Sequence, residues 1–400
     1  MLTIEGNTNN NDHSYPLLHL GFRPFFLGAA GFAVLSMGVW MALYFLDWRG
    51  GLAGLSLQLW HAHEMIYGYA VAVIAGFLLT AVKNWTEVQT VHRFPLLALF
   101  TLWLLARAAP FIHAEYIVAV MAGLDMLFMG ALLAAISYPV IKARQWPQLL
   151  VILHVVLLLC GNLVFYLGAL GWLSEGLRWG LYAGLYVVLS LIFVIGRRVI
   201  PFFIERGVDN PVTIKNWSWL DVSTVVLFAI FAVLDVFTSY QGIIAGLAGI
   251  LFVMHGIKMA GWYTPEMFRK PLLWVLYLAY GFLIIGFALK FFSYIFGVSP
   301  YLAIHAFAVG GISVMTAGMM ARVILGHTGR NISEPPAILF LVFAALLASA
   351  AIRVFLPLFD LLHYQFWIAL SQILWISAFT VFLWQYFPML IQPRVDGRYG

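Results

Sequence analysis

Two imidazoles and a carboxylate fall within four positions of Leu59-Trp60-His61-Ala62-His63-Glu64-Met65-Ile66-Tyr67-Gly68, in a stretch that is otherwise largely apolar. Imidazole is the most common metal-binding side chain, and a neighbouring carboxylate can orient it. On a helix, His61 and His63 point about 200° apart at about 100° per residue, so they are not expected to share one metal. One can be a ligand while the other faces a substrate or a supporting group. The reading without chemistry is an interfacial helix start with Trp60 in the aromatic belt. A second run, His305-Ala306-Phe307-Ala308-Val309-Gly310-Gly311, sets one imidazole beside glycines that let a neighbouring helix, or a flat macrocycle, approach closely. His363 lies where another apolar stretch begins. If all four histidines sit at one depth, they suit a haem with or without copper, since imidazole serves both metals. Arg353 would then neutralise a haem propionate, or simply snorkel to the surface.

The elements that must position these residues are membrane helices. Of 400 residues, 64% are apolar and 9% charged, against about 45–50% and about 25% in soluble domains. The apolar residues form stretches of the roughly 20 residues needed to cross a hydrocarbon core about 30 Å thick. They predict an all-α bundle of about twelve spans near 25–47, 60–82, 94–113, 116–141, 147–171, 177–199, 219–238, 240–262, 271–296, 300–323, 336–358 and 362–388. The joints near Glu115 and Ser239 are the shortest. Residues 1–20, with Asn7, Asn9, Asn10 and Asn11, are expected to form a short cytoplasmic tail rather than a cleaved signal peptide, with 21–400 as a single transmembrane domain. Of the 21 Lys and Arg, 16 fall on the side of the N-terminus. The positive-inside rule therefore places both termini in the cytoplasm and requires an even number of spans. The net charge of +5 marks a membrane face in contact with lipid, not a nucleic-acid partner. The single cysteine, Cys160, excludes an intrachain disulfide, a cysteine-ligated iron–sulfur cluster and a Cys-x-x-Cys-His haem attachment.

The basic face carries further candidates: Arg23 in Phe22-Arg23-Pro24-Phe25-Phe26, Arg198 in Arg197-Arg198-Val199-Ile200-Pro201-Phe202-Phe203, Arg322, and His327 with Arg330 in Leu325-Gly326-His327-Thr328-Gly329-Arg330. Singly they are ordinary anchors; together they could form an anion site or hold the acidic groups of a second cofactor. Asp125 and Asp235 are intramembrane acids open to a proton role. His154 and His255 are expected to be hydrogen-bonded core residues.

Taken in order, Phe22-Arg23-Pro24-Phe25-Phe26, Trp60-His61-Ala62-His63-Glu64-Met65, Ala75-Gly76-Phe77-Leu78-Leu79-Thr80-Ala81, Arg198-Val199-Ile200-Pro201-Phe202-Phe203 and Leu325-Gly326-His327-Thr328-Gly329-Arg330 closely resemble the NnrS family over nearly the whole chain. The resemblance implies a bacterial inner-membrane protein of twelve helices that contains haem b and copper and takes part in the response to nitric oxide and in denitrification. It also implies histidines where this chain has Tyr166 and Tyr277, which bears more on copper than on haem. The layout is similar, more loosely, to the catalytic subunit of haem–copper oxidases, and His61, Met65, Ile66 and Tyr67 resemble its second-span pattern. The tenth span has one histidine where that superfamily has two, so a complete binuclear centre is not expected.

These observations favour a membrane haem protein that binds, senses or turns over nitric oxide, and leave open whether it is an enzyme. A secondary transporter and an accessory protein for cofactor maturation are the alternatives. Against transport, the halves show no repeat with paired broken helices.

Overall fold

The structure, a computed structural model, describes residues 15–46, 52 and 54–400. Most of the expected N-terminal tail, residues 1–14, lies outside the described residues, as does Arg49. Among the described residues, twelve helices are long and apolar enough to span a membrane: α1 (Phe22–Phe45), α2 (Leu57–Thr86), α3 (Arg93–Phe111), α4 (Ile117–Lys142), α5 (Trp146–Ala169), α6 (Gly176–Gly207), α7 (Ser218–Phe237), α8 (Gln241–Gly261), α9 (Pro271–Phe296), α10 (Pro300–His327), α11 (Ile338–Phe359) and α12 (Tyr364–Ile391). Each apolar segment satisfies its backbone polar groups internally, which is what a lipid environment demands. Proline at the first position of α9 and α10 starts these helices where a missing N–H costs nothing, and Gly297, at φ +66°, turns the chain between them.

Over their most apolar windows, α2 and α9 are 78% and α10 is 67% buried, against 33–44% for the other nine helices. Those three form the centre, where protein replaces lipid as the neighbour. Around them, α1 packs against α2 and α12, α12 against α11, and α5 against α6, so the two ends of the chain meet in one bundle. Small residues bring α5 and α6 together: a Cβ on Gly180 would strike the backbone of Phe165 at 2.5 Å.

Two central helices widen to the i→i+5 hydrogen-bond pattern, α2 over Glu64–Ala70 and α10 over Ala306–Ser313. Such π segments are rare and concentrate at functional sites. They begin directly after His63 and His305, and the hydroxyls of Tyr69, inside the first segment, and Thr316, just past the second, join α2 to α10 at 2.8 Å.

Of the two neighbours expected beside the glycines of α10, a helix or a flat macrocycle, the structure shows the helix. A Cβ on Gly310 would run into the ring of Phe282, one on Gly311 into Leu283, and one on Gly318 would meet Val275 at 2.7 Å. All three neighbours belong to α9, so these glycines let two central helices pack closely.

Candidate functional site

His61 and His63 diverge as the helical spacing requires. His63 is fully buried and has partners at both nitrogens: Nδ1 lies 3.1 Å from Glu64 Oε1 and Nε2 lies 2.9 Å from Asn162 Oδ1. The Asn162 amide has only one sensible orientation, because its Nδ2 donates to Asp125 Oδ2 at 3.4 Å and a carboxylate accepts only. The guanidinium of Arg107 joins the two acids, reaching Glu64 Oε2 at 2.6 Å with one nitrogen and Asp125 Oδ1 with the other. Tyr166 donates to Asp125 Oδ2 at 2.7 Å. Residues from α2, α3, α4 and α5 thus form one buried polar network. Both partners of His63 are acceptors, and each ring nitrogen faces a network oxygen that a metal bound there would have to displace.

The network braces the π segment of α2. Arg107 holds Glu64 at the start of that segment, while Trp103 donates to the carbonyl of Gly68 at 3.0 Å. Tyr67 donates to Gly180 O at 2.6 Å, wedged where a Cβ on Gly161 or Gly184 would collide with it. The widened turn is therefore tied to α3 and α6, which fixes the direction of the residues just before it.

His61 faces the other way. Its ring stacks on Trp40 of α1, with centroids 4.6 Å apart and planes 14° from parallel. Its Nδ1 is sealed from solvent and has no hydrogen-bond partner among the described residues. Arg353 of α11 lies within Coulombic reach of both His61 and His305, and the two imidazoles interact electrostatically with each other. His305 Nδ1 is 2.6 Å from Tyr301 O, which can only accept; its Nε2 is 3.1 Å from Arg353 Nη2, which can only donate. These partners place the proton on Nδ1 and the lone pair on Nε2. That is the tautomer of a metal-binding histidine whose second nitrogen is anchored on a carbonyl.

The structure joins His305 of α10 to Arg353 of α11 by a hydrogen bond, and His61 of α2 lies within electrostatic range of both. His63 and Glu64 belong to the adjacent network. His363 is largely exposed beside the start of α12, its Nδ1 2.9 Å from Asp360 Oδ2. Among the described residues no group of three or more His, Cys, Asp or Glu side chains comes close enough to hold a metal ion. The hydroxyl of Tyr166 is committed to Asp125, and that of Tyr277 to Met259 O at 3.2 Å.

The other intramembrane acid, Asp235, pairs with Lys290 at 2.7 Å and accepts from Tyr186. His154 is bonded to Leu150 O and Ser190 Oγ, as expected of a core residue. His255 bonds to Tyr280 through Nδ1 between the rings of Phe193 and Phe287, while its Nε2 is buried without a partner among the described residues.

The basic-face motifs do not close on one anion site. Arg23, fully buried, donates to Met389 O, Leu390 O and Gln392 O at 2.7–3.2 Å and to Gly400 O at 2.6 Å, capping the end of α12. His327 O accepts from Arg394 at 3.0 Å, and Thr328 O from Val395 N at 3.2 Å. Gly329 adopts φ +77° with Asp396 packed on its open side. Arg330 N returns to Leu325 O at 2.9 Å, closing the end of α10. These two motifs fasten the segment after α12, whereas Arg322 lies 3.6 Å above the ring of Phe203 and Arg198 lines a separate cavity beside α6.

A family model described as NnrS protein matches residues 16–394. No curated protein matches the chain.

Proposed function

Because the chain belongs to the NnrS family, we propose that it is a haem protein of the bacterial inner membrane that takes up nitric oxide, with His305 and His61 as the haem ligands. The observation that carries this reading is that His305, poised with its Nε2 lone pair, and His61, whose buried Nδ1 has no partner among the described residues, sit on two central helices that both widen to π geometry directly after the histidine-bearing turn. The donor chemistry fits haem b, which needs one or two imidazoles and a cation near its propionates. It gives less support to copper, for which a third His, Cys, Asp or Glu donor is missing among the described residues.

Haem iron, when bound, would supply coordination to a small diatomic ligand, which could enter only where one of the two histidines gives up its place. The protein's own groups do the rest. The Tyr301 carbonyl fixes the His305 tautomer. Trp40 holds the plane of the His61 ring. Arg353, which donates to His305 Nε2 here, is free to turn toward an acidic group once that nitrogen is taken. The Arg107 network keeps the π segment of α2, and with it His61, in place. Nitric oxide is small and neutral and reaches such a site through the membrane phase without a charged path.

A pyridine haemochrome assay on the purified chain, followed by a nitric oxide difference spectrum, tests the proposal. Stoichiometric haem whose spectrum shifts with nitric oxide is expected. Folded protein without haem would overturn it.

A further inference from the structure

We infer that a cavity at the Lys/Arg-rich end of α6 is a binding site for a phosphate-type oxyanion. The cavity, of about 340 Å³, is lined by Arg197, Arg198, Phe202 and Glu205 of α6, by Asn216 of the connection to α7, and by Asp221 of α7. It lies at the far end of the bundle from His305: that residue is in the first turns of α10, whereas Arg322, near the end of α10, rests on Phe203 beside the cavity.

Charge pairing is what separates this place from an ordinary basic membrane face. Neither guanidinium has a hydrogen-bond or ion-pair partner among the described residues, and Arg197 Nε is buried without one. The acids in the lining do not compensate them. Asp221 is taken by Lys258 at 2.7 Å, and Glu205 Oε1 accepts the backbone N–H of Ile214 at 3.0 Å. Three cations, Arg197, Arg198 and Lys258, therefore stand against two carboxylates, and the two without partners are the ones facing the cavity.

Consecutive helix residues usually face different surroundings. Here the chain after α6 folds back so that Ile214 and Asn216 wall the space against Arg197 and Arg198 together. Two guanidinium forks in a concave, partly apolar site match the oxygens of a phosphate group, which they bind bidentately and with charge assistance. Phe202 supplies an apolar wall beside them. The same chemistry accepts the headgroup of an anionic lipid or a soluble phosphate.

The test uses the full chain purified in neutral detergent, as wild type, as the Arg197→Gln/Arg198→Gln double variant, as Arg198→Gln alone, and as Arg206→Gln. Arg206 is an exposed cation of the same helix end outside the cavity. Thermal protection by inorganic phosphate, against chloride at equal ionic strength, reads soluble anion binding. Native mass spectrometry after passage through phosphatidylglycerol vesicles reads lipid binding. At least one mode should be seen in wild type and in Arg206→Gln, and should weaken tenfold or more in the double variant. Phosphate protection identifies a soluble ligand, and retained lipid without it identifies a headgroup. If the double variant does not fold, Arg198→Gln decides, because Arg198 is exposed and packs no core. Binding equal in all variants, or no binding in wild type, would overturn the inference.

Discussion

Arg353 Nη2 lies 3.1 Å from His305 Nε2, so a guanidinium occupies the nitrogen that a metal would take. A cation donating to a ring nitrogen leaves that ring neutral, which is the state an iron ligand needs. If the guanidinium then serves a haem propionate, Arg353→Leu should keep the fold, because the residue is only half-buried, while haem retention during purification falls severalfold. Haem occupancy equal to wild type would make Arg353 a plain surface anchor.

The Arg107 network predicts an asymmetry. Arg107→Leu leaves the carboxylates of Glu64 and Asp125 buried without their shared cation, a loss of about 3–5 kcal/mol. His63→Gln removes only the ring between them. The first variant should melt far below wild type or fail to insert, and the second should insert and keep a haem spectrum close to that of wild type. Loss of haem from well-folded His63→Gln protein would make His63 the ligand from α2.

At the other end of the bundle, Arg23 and Gly329 hold the chain after α12. Arg23 donates to four carbonyl oxygens. Since charged hydrogen bonds are worth about 1.5–3 kcal/mol each, Arg23→Ala should lower the melting temperature markedly without moving the haem spectrum. Gly329→Val should act in the same direction, because φ +77° and the adjacent Asp396 leave no place for a branched side chain. Unchanged melting in both would dissociate these motifs from the end of α12.

The same clamp has a pH signature. Hydrogen bonds from Arg394 hold the Asp396 carboxyl below the ordinary aspartate range, so its folded-state value is depressed. The pair contributes above the ordinary aspartate value of about 4 and loses its contribution as pH falls below it. The pair is partly solvent-exposed, so the effect is small. Melting curves of wild type and Asp396→Asn should therefore differ slightly at pH 7 and converge in acid. A gap that widens in acid would have the wrong sign.

The twelve spans were legible because apolar runs of membrane length leave few alternatives, and the joints expected to be shortest, near Glu115 and Ser239, are real boundaries between α3 and α4 and between α7 and α8. The opposite facing of His61 and His63 was also legible, since helical geometry alone requires it. The Arg107 network was not. Arg107 reads in the sequence as one of the few cations on the sparsely charged face, and nothing local reveals that Asp125, 18 positions on, and Glu64, 43 positions back, meet it. Asn162 gave no signal either, because one amide in an apolar helix is compatible with many neighbours, and Tyr166 drew notice only through the family resemblance, for copper and not for its bond to Asp125. The π segments were hidden for a similar reason: they depend on ties to other helices, such as Trp103 to Gly68. Gly310 and Gly311 were visible as small residues, but only the packing of Phe282 and Leu283 shows what their smallness admits.

The central claim is that His305 and His61 hold the haem, and the most direct measurement is the absorption spectrum of the purified chain with each of four histidines replaced singly by Ala. Among folded, inserted variants, His305→Ala and His61→Ala should each abolish the haem bands or shift them strongly, while His63→Ala and His363→Ala leave the band positions unchanged. Wild-type spectra from both His305→Ala and His61→Ala would contradict the account and move the search to His255, whose buried Nε2 has no partner among the described residues.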